Sequence, residues 1–185
     1  MVEDVLKEAE AKMQKAIEAA RRELVGIRTG RASPALVERL PVDYYGQPTP
    51  LMQLSTITAP EPRLLVIQPF DPNAIPMIEK AIMKSELGLN PSNDGRVIRI
   101  VLPQLTEERR RELVRLVHRK VEEFRVAVRN VRREALEELR ELEKEKLISQ
   151  DDHRRAQERL QKLTDKYIGL LDALEKEKEK EILEE

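Results

Sequence analysis

Residues 106–147 read TEERRRELVRLVHRKVEEFRVAVRNVRREALEELRELEKEKL, with no proline and no glycine. Apolar residues recur at Leu113, Val117, Val121, Phe124, Val128, Val131, Ala135, Leu139 and Leu142. Steps of three and four place them in one stripe along an α-helix. Thr106 can cap its start, and Glu107 and Glu108 suit the positive end of the helix dipole. As one element, residues 106–147 span roughly 60 Å. A helix this long cannot hide its stripe alone, so the segment demands helical partners.

Two such partners flank it. Residues 1–27 carry a stripe at Val2, Leu6, Ala9, Met13, Ala16, Ala20, Leu24 and Ile27, with Gly30 as the expected stop. After the break LISQDDH, a third stripe runs through Ala156, Leu160, Leu163, Tyr167, Leu170 and Leu174. Ser149, with Asp152 three residues on, reads as a capping box. The short break predicts that the second and third helices pack antiparallel, and the three together form a bundle.

Proline marks where the pattern changes. All eleven prolines lie between Pro34 and Pro103, and proline breaks helix interiors. Within that stretch LSTITAP and RLLVIQPF, separated by Pro60, Glu61 and Pro62, predict a β-hairpin. VDYYG adds a short strand, and NAIPMIEKAIMKSELG a helix ending at Gly88. NPSNDG reads as a turn, and RVIRIVLP as another strand. The expected class is α+β, an elongated three-helix bundle with a small inserted α/β domain. Residues 1–30 and 105–185 form the discontinuous bundle, and 31–104 the insertion. Two short crossings, at Thr29, Gly30 and Arg31 and at Pro103, Gln104 and Leu105, predict a hinge.

Composition limits the chemistry. The chain has no cysteine, which removes disulfides, zinc–thiolate sites and thiol nucleophiles and makes a cytoplasmic location the default. No apolar run is long enough for a membrane span or signal peptide. Walker A, GxGxxG and GxSxG patterns are absent. His118 and His153 are far apart on helical segments, where solvated surface positions explain them. No catalytic residue, metal site or cofactor is expected, and the chain does not read as an enzyme. Net charge is −1, so a nucleic-acid partner would have to be signalled by local clustering.

Such clustering exists. RVAVRNVRR, residues 125–133, holds four arginines and no acid. Arg125, Arg129 and Arg132 fall in a line beside the apolar seam, with Arg133 flanking it and Arg110 a possible extension toward the helix start. Arg125–Arg129 and Arg129–Arg133 are like-charge pairs four residues apart, each costing roughly 0.2–0.5 kcal/mol in isolation. Residues 106–133 carry ten basic and five acidic side chains, and 134–147 three basic and six acidic. Arginine's planar fork suits phosphate. Aromatics are 3% of the chain, which disfavours stacking on splayed bases and favours structured RNA gripped by phosphate and shape. A coiled-coil adaptor or chaperone arm would explain the stripes, but neither the arginine row nor the insertion.

The chain resembles the bacterial ribosome recycling factor family. The matching segments are IRTGRASP (27–34), YYGQPTPL (44–51), EKAI and LGLNP (within 79–91), LPQLTEERR (102–110), RVAVRNVRR (125–133) and QKLTDKYI (161–168). The resemblance implies an L-shaped molecule, similar to tRNA in outline, with a hinge between bundle and inserted domain. It implies a monomeric factor that binds the post-termination ribosome between its subunits. Its partners would be large-subunit ribosomal RNA and elongation factor G, with no DNA and no membrane involved. With that GTPase and GTP it would split the ribosome for reuse. Arg28, Arg31, Arg110, Arg129 and Arg132 match family positions linked to ribosomal RNA, and the helical face adds Arg125 and Arg133.

Overall fold

Proline-free sequence becomes helix and proline-rich sequence becomes sheet. The computed structural model describes residues 1–27, 31–85 and 87–184. Four α-helices are present among them: α1 (Val2–Val25), α2 (Ile75–Lys84), α3 (Glu107–Lys144) and α4 (Gln150–Leu183). Six strands lie between α1 and α3: β1 (Pro41–Tyr44), β2 (Gln47–Pro50), β3 (Ser55–Glu61), β4 (Leu64–Pro69), β5 (Pro91–Asn93) and β6 (Ile98–Val101). No helix among the described residues is long and apolar enough to cross a membrane.

The chain divides into two compact units. Met1–Leu24 and Val114–Lys180 form one, and Val25–Leu113 with Glu181–Glu185 the other. These borders group residues 25–30 and 105–113 with the sheet-bearing unit, whereas the sequence places its borders at 30/31 and 104/105.

The first unit is a three-helix bundle. Lys12–Glu134 and Lys120–Glu23 ion pairs fix α1 antiparallel to α3. Arg125–Asp172 and Arg132–Gln161 contacts fix α4 antiparallel to α3. Glu3 pairs with Arg159 to join α1 to α4. Buried on the three helices are Leu6, Ala9, Met13, Ile17, Ala20 and Leu24, then Val117, Val121, Val128, Ala135 and Leu139, then Ala156, Leu160, Tyr167 and Leu171. The third stripe departs from expectation: Leu170 is exposed and Leu171 fully buried. Between Leu160 and Leu171 the stripe passes through buried Thr164, whose hydroxyl donates to the Leu160 carbonyl at 2.9 Å and so satisfies itself within the helix.

Helix ends follow capping chemistry. The Thr106 hydroxyl accepts from the Arg109 N–H at 3.0 Å at the start of α3. α3 stops where Lys146 takes φ +60°. There the Leu147 N–H reaches the Leu142 carbonyl and the Lys146 N–H the Glu143 carbonyl, a Schellman closure with lysine where glycine is usual. The expected capping box opens α4: the Ser149 hydroxyl accepts from the Asp152 N–H at 3.0 Å, and the Asp152 carboxylate faces the Ser149 N–H at 3.5 Å. α1 ends at Val25, five residues before the expected stop, and Gly30 lies outside the described residues.

The second unit pairs β1 with β2 and orders the remaining strands β3-β4-β6-β5, all antiparallel. Its core includes Val37, Val42, Leu51, Leu65, Ile67, Ile78, Ile82, Ile98, Ile100 and Leu102. Three boundaries shift. β3 runs through Pro60 to Glu61, so the hairpin turns at Pro62–Arg63. Pro60 is tolerated because β3 is an edge strand with a register break between Thr58 and Glu61. α2 stops at Lys84 rather than Gly88, where the Ser85 hydroxyl donates to the Ile82 carbonyl at 2.6 Å. The middle of NPSNDG, Pro91–Asn93, is strand β5, and the turn follows at Asp94–Val97. There the Asp94 carboxylate accepts from the N–H groups of Val97 and Arg96, which hold it well below the usual carboxylate range.

Candidate nucleic-acid interface

The segment 125–133 lies mid-way along α3, where regular 3.6-residue winding aims its valines inward and sorts its arginines by angle. Val128 is fully buried. Arg125 and Arg132 stand on either side of it along the helix, three residues before and four after. Both lean toward α4. Arg129, one residue past Val128, points further out. Arg133 is exposed.

Arg125 is not part of an exposed row. It is 8% exposed and sits among three carboxylates. Its Nε donates to Asp172 Oδ1 at 2.9 Å and its Nη1 to Glu122 Oε2 at 3.1 Å, while its Nη2 pairs with Glu175. Burial opposes its charge, but hydrogen bonds to Glu175, Asp172 and Glu122 more than offset this and raise its pKa above the usual arginine value. Glu175 Oε1 in turn lies 2.6 Å from His118 Nδ1. Burial pushes Glu175 up, and hydrogen bonds from Arg125 and His118 outweigh this, leaving its carboxyl below the ordinary 4.5. Arg125 therefore does not stand in the line as a free cation: Glu122, three residues before it, answers it on its own helix. Two acids one helix away neutralise it. They are forty-seven and fifty residues distant in sequence, and nothing local to RVAVRNVRR announces them.

The outward arginines are differently placed. Arg129 is about half exposed, and its Nη1 donates to Glu122 Oε1 at 3.1 Å. Glu122 thus bridges two arginines, and hydrogen bonds from Arg129 and then Arg125 hold its carboxyl below 4.5. Arg132 is half-buried; its Nη1 donates to Gln161 Oε1 at 2.8 Å, and Gln161 Nε2 donates on to Asp165 Oδ1 at 2.9 Å. The Arg132 Nε is buried without a hydrogen-bond partner. Arg133 makes no side-chain hydrogen bond or ion pair among the described residues, nor do Arg115 and Arg119 on the same helix. Gln161 is a member of this site that local sequence does not mark, because it reaches Arg132 only through the register of α4.

The remaining candidates belong to the second unit or lie outside the described residues. Arg28, Thr29 and Gly30 are outside them. Arg31 is exposed. Arg110 is half-buried with its Nε unpartnered. It precedes Val128 by eighteen residues, five full turns, so helical geometry aligns it with the apolar seam rather than with the arginine line. Pro103 and Gln104 are exposed in irregular chain, between buried Leu102 and Leu105.

Relatives sharpen the reading. The family model described as ribosome recycling factor matches residues 20–183. A ribosome-recycling factor of Roseiflexus sp. (strain RS-1) is 63% identical over 184 residues, the whole of both chains. That of Thermomicrobium roseum is 60% identical over the same span, again covering both completely. Among solved structures, a ribosome recycling factor in solution is 56% identical. It superposes with a TM-score of 0.81, covering 100% of this chain and 98% of that one. A second, the T. thermophilus ribosome recycling factor described with E. coli elongation factor G bound to the E. coli post-termination complex, is 51% identical. Its TM-score is 0.69 and coverage is 99% of both chains.

Proposed function

The chain belongs to the ribosome recycling factor family, and on that premise we propose that the outward arginines of α3 are its grip on large-subunit ribosomal RNA. It is a non-enzymatic translation factor. It binds the post-termination ribosome and, with elongation factor G and GTP, promotes subunit dissociation so that ribosomes are reused. The nucleotide chemistry is the GTPase's; this chain supplies binding energy and shape.

The observation that carries the RNA reading is the exposed cationic line itself. Arg129, Arg132 and Arg133 leave most of their donors without a side-chain partner among the described residues, and a guanidinium offers five. Phosphate contacts of this kind position a protein on RNA without reading its sequence. Arg31, Arg110 and Arg28 join the proposed contact set on family grounds. Arg125 does not, because its fork is consumed internally. The connections at Thr29, Gly30 and Arg31 and at Pro103, Gln104 and Leu105 are the proposed hinge. Motion there would let elongation factor G displace one unit and strip the other from RNA bridging the subunits. The factor acts as a single chain in the cytoplasm, where ribosomes turn over.

Subunit splitting from purified post-termination ribosomes tests the function. Dissociation is expected only when this chain, elongation factor G and GTP are all present. Splitting without the chain, or GTP hydrolysis by the chain alone, would overturn it. Affinity for large subunits should fall as salt rises, because each phosphate contact releases counterions.

A further inference from the structure

Two arginines of the line, Arg129 and Arg132, are held by different chemistry. Arg132 rests on the neutral amide of Gln161, so its charge is uncompensated by that contact. Arg129 rests on the carboxylate of Glu122. The other Glu122 oxygen belongs to Arg125, which Asp172 and Glu175 tie down on α4. Glu122 is therefore anchored at one oxygen and offers the other to the exposed line.

We infer that Glu122 is an intramolecular stand-in for a phosphate at Arg129: a positioning residue that occupies the guanidinium in the free factor and yields it to RNA. This rests on the reading of the line as a phosphate grip. Carboxylate and phosphate oxygens accept from the same guanidinium edge, so one can replace the other without moving Arg129 far. The exchange is easy because Glu122 and Arg129 side chains are 42% and 47% exposed, and exposed ion pairs are weak. Held by Arg125, Glu122 cannot swing away when RNA arrives. It stays within reach of Arg129 and competes with the incoming phosphate for that guanidinium. When the ribosome splits, Glu122 reclaims Arg129. A recycling factor must let go as well as bind, and this residue biases the balance toward release. Arg132 has no such competitor and carries the constant part of the grip.

The test uses the full chain and purified large subunits, with affinity measured across a salt series. Glu122→Gln keeps a hydrogen-bond acceptor for Arg129 and removes the charge. It should bind about twofold to fivefold more tightly, the reverse of an exposed ion pair's worth. The log–log salt slope should steepen by up to about one, since one more cation is free to displace counterions. In an Arg129→Ala background the same substitution should change neither quantity. Thermal unfolding of each variant reports separately any loosening of the bundle, which would not steepen a salt slope. Unchanged or weaker binding by Glu122→Gln, alongside weaker binding by Arg129→Ala, would overturn the stand-in and leave the phosphate grip standing. A gain that persists without Arg129 would also overturn it, since Glu122 would then act by its charge alone. Unaltered binding by Arg129→Ala would overturn the grip at that residue and the stand-in with it.

Discussion

Arg125 and Arg132 lie seven residues apart on one helix and share a chemistry, but they face different surroundings. The inner arginine is 8% exposed and bound by three carboxylates. The outer one is half-buried, makes one side-chain hydrogen bond, and that bond is to a neutral amide. Seven residues is two turns less about 20°, so helix phase does not separate them; α3 contributes only Glu122, which bonds the first and not the second, and the rest has another source. It comes from α4, which presents Asp172 and Glu175 to one position and Gln161 to the other. A cluster that looks like a single electropositive feature is an internal clasp joined to an external grip.

The comparison is most easily broken at the clasp. Arg125→Ala strands Glu175, whose side chain is 12% exposed, without its cation. Removing one partner of a buried pair costs about 3–5 kcal/mol, and the partial exposure of Asp172 and Glu122 puts this case near the lower end. The variant should unfold roughly 6–12 °C lower, at about 2–4 °C per kcal/mol for a chain of this size. Its affinity for large subunits, measured well below that temperature, should not fall, since losing Arg125 removes no outward cation and only frees Glu122. A stable variant that fails to bind would place Arg125 in the grip after all.

Arg132→Ala is the converse. A hydrogen bond to a charged group is worth about 1.5–3 kcal/mol, so ribosome affinity should fall at least about tenfold. Unfolding should shift by no more than about 0.5 kcal/mol, as for an ordinary surface change. Co-sedimentation with large subunits gives the first quantity and thermal unfolding the second. Collapse of the fold with binding intact would make Arg132 a second clasp.

These opposite outcomes show where the sequence was legible. The proline-free stripe over Leu113–Leu142 announced α3 because period and length agree over many turns. The hairpin of β3 and β4 was legible because β-branched residues flank a proline-rich turn. What local pattern cannot supply is the register between helices. Arg125 and Arg132 lie within about 60° and 40° of Val128, so angle alone ranks them alike. Their fates depend on acids and an amide far along the chain. The same limit explains Leu170. Choosing apolar residues for the third stripe passes over Thr164 and Glu175, both buried. Polar residues hold core positions there because one is satisfied by its own helix and the other by Arg125. Arg110 departs from the row for the opposite reason: its type suits it, but eighteen residues bring the helix back to the seam, so it stands in the proposed contact set on family grounds alone.

Acid should separate clasp from grip without mutation. The Glu175 carboxyl is held below 4.5 by Arg125 and His118 against the push of burial. A group depressed in the folded state contributes its full stability above the unfolded pKa and loses it as pH falls through the folded one. Stability should therefore decline as pH drops below about 4.5. In Glu175→Gln that part of the decline should be missing. The loss should be smaller than for Arg125→Ala, since Arg125 keeps Asp172 and Glu122 as partners. Denaturant midpoints for both proteins across this range give the answer. Curves that run parallel would mean that other carboxylates dominate acid unfolding and that Glu175 is a minor member of the clasp.

The smallest effect is the most specific, because its sign matters more than its size. Arg133 has no side-chain partner among the described residues and sits four residues from Arg129, a spacing at which like charges repel. Arg133→Gln keeps the helix propensity and most of the length while removing the charge. It should raise stability by about 0.2–0.5 kcal/mol, the size of one relieved pair, and lower the salt slope of ribosome binding by roughly one. Arg129 is already partly quenched by Glu122, which places the gain toward the lower figure. A residue kept for the fold cannot make the protein both stronger and less able to bind when it is removed. If Arg133→Gln destabilises instead, Arg133 has a structural role and the outward line shortens to Arg129 and Arg132. If it stabilises while binding keeps its slope, the repulsion is real but the charge faces no phosphate, and the grip ends at Arg132.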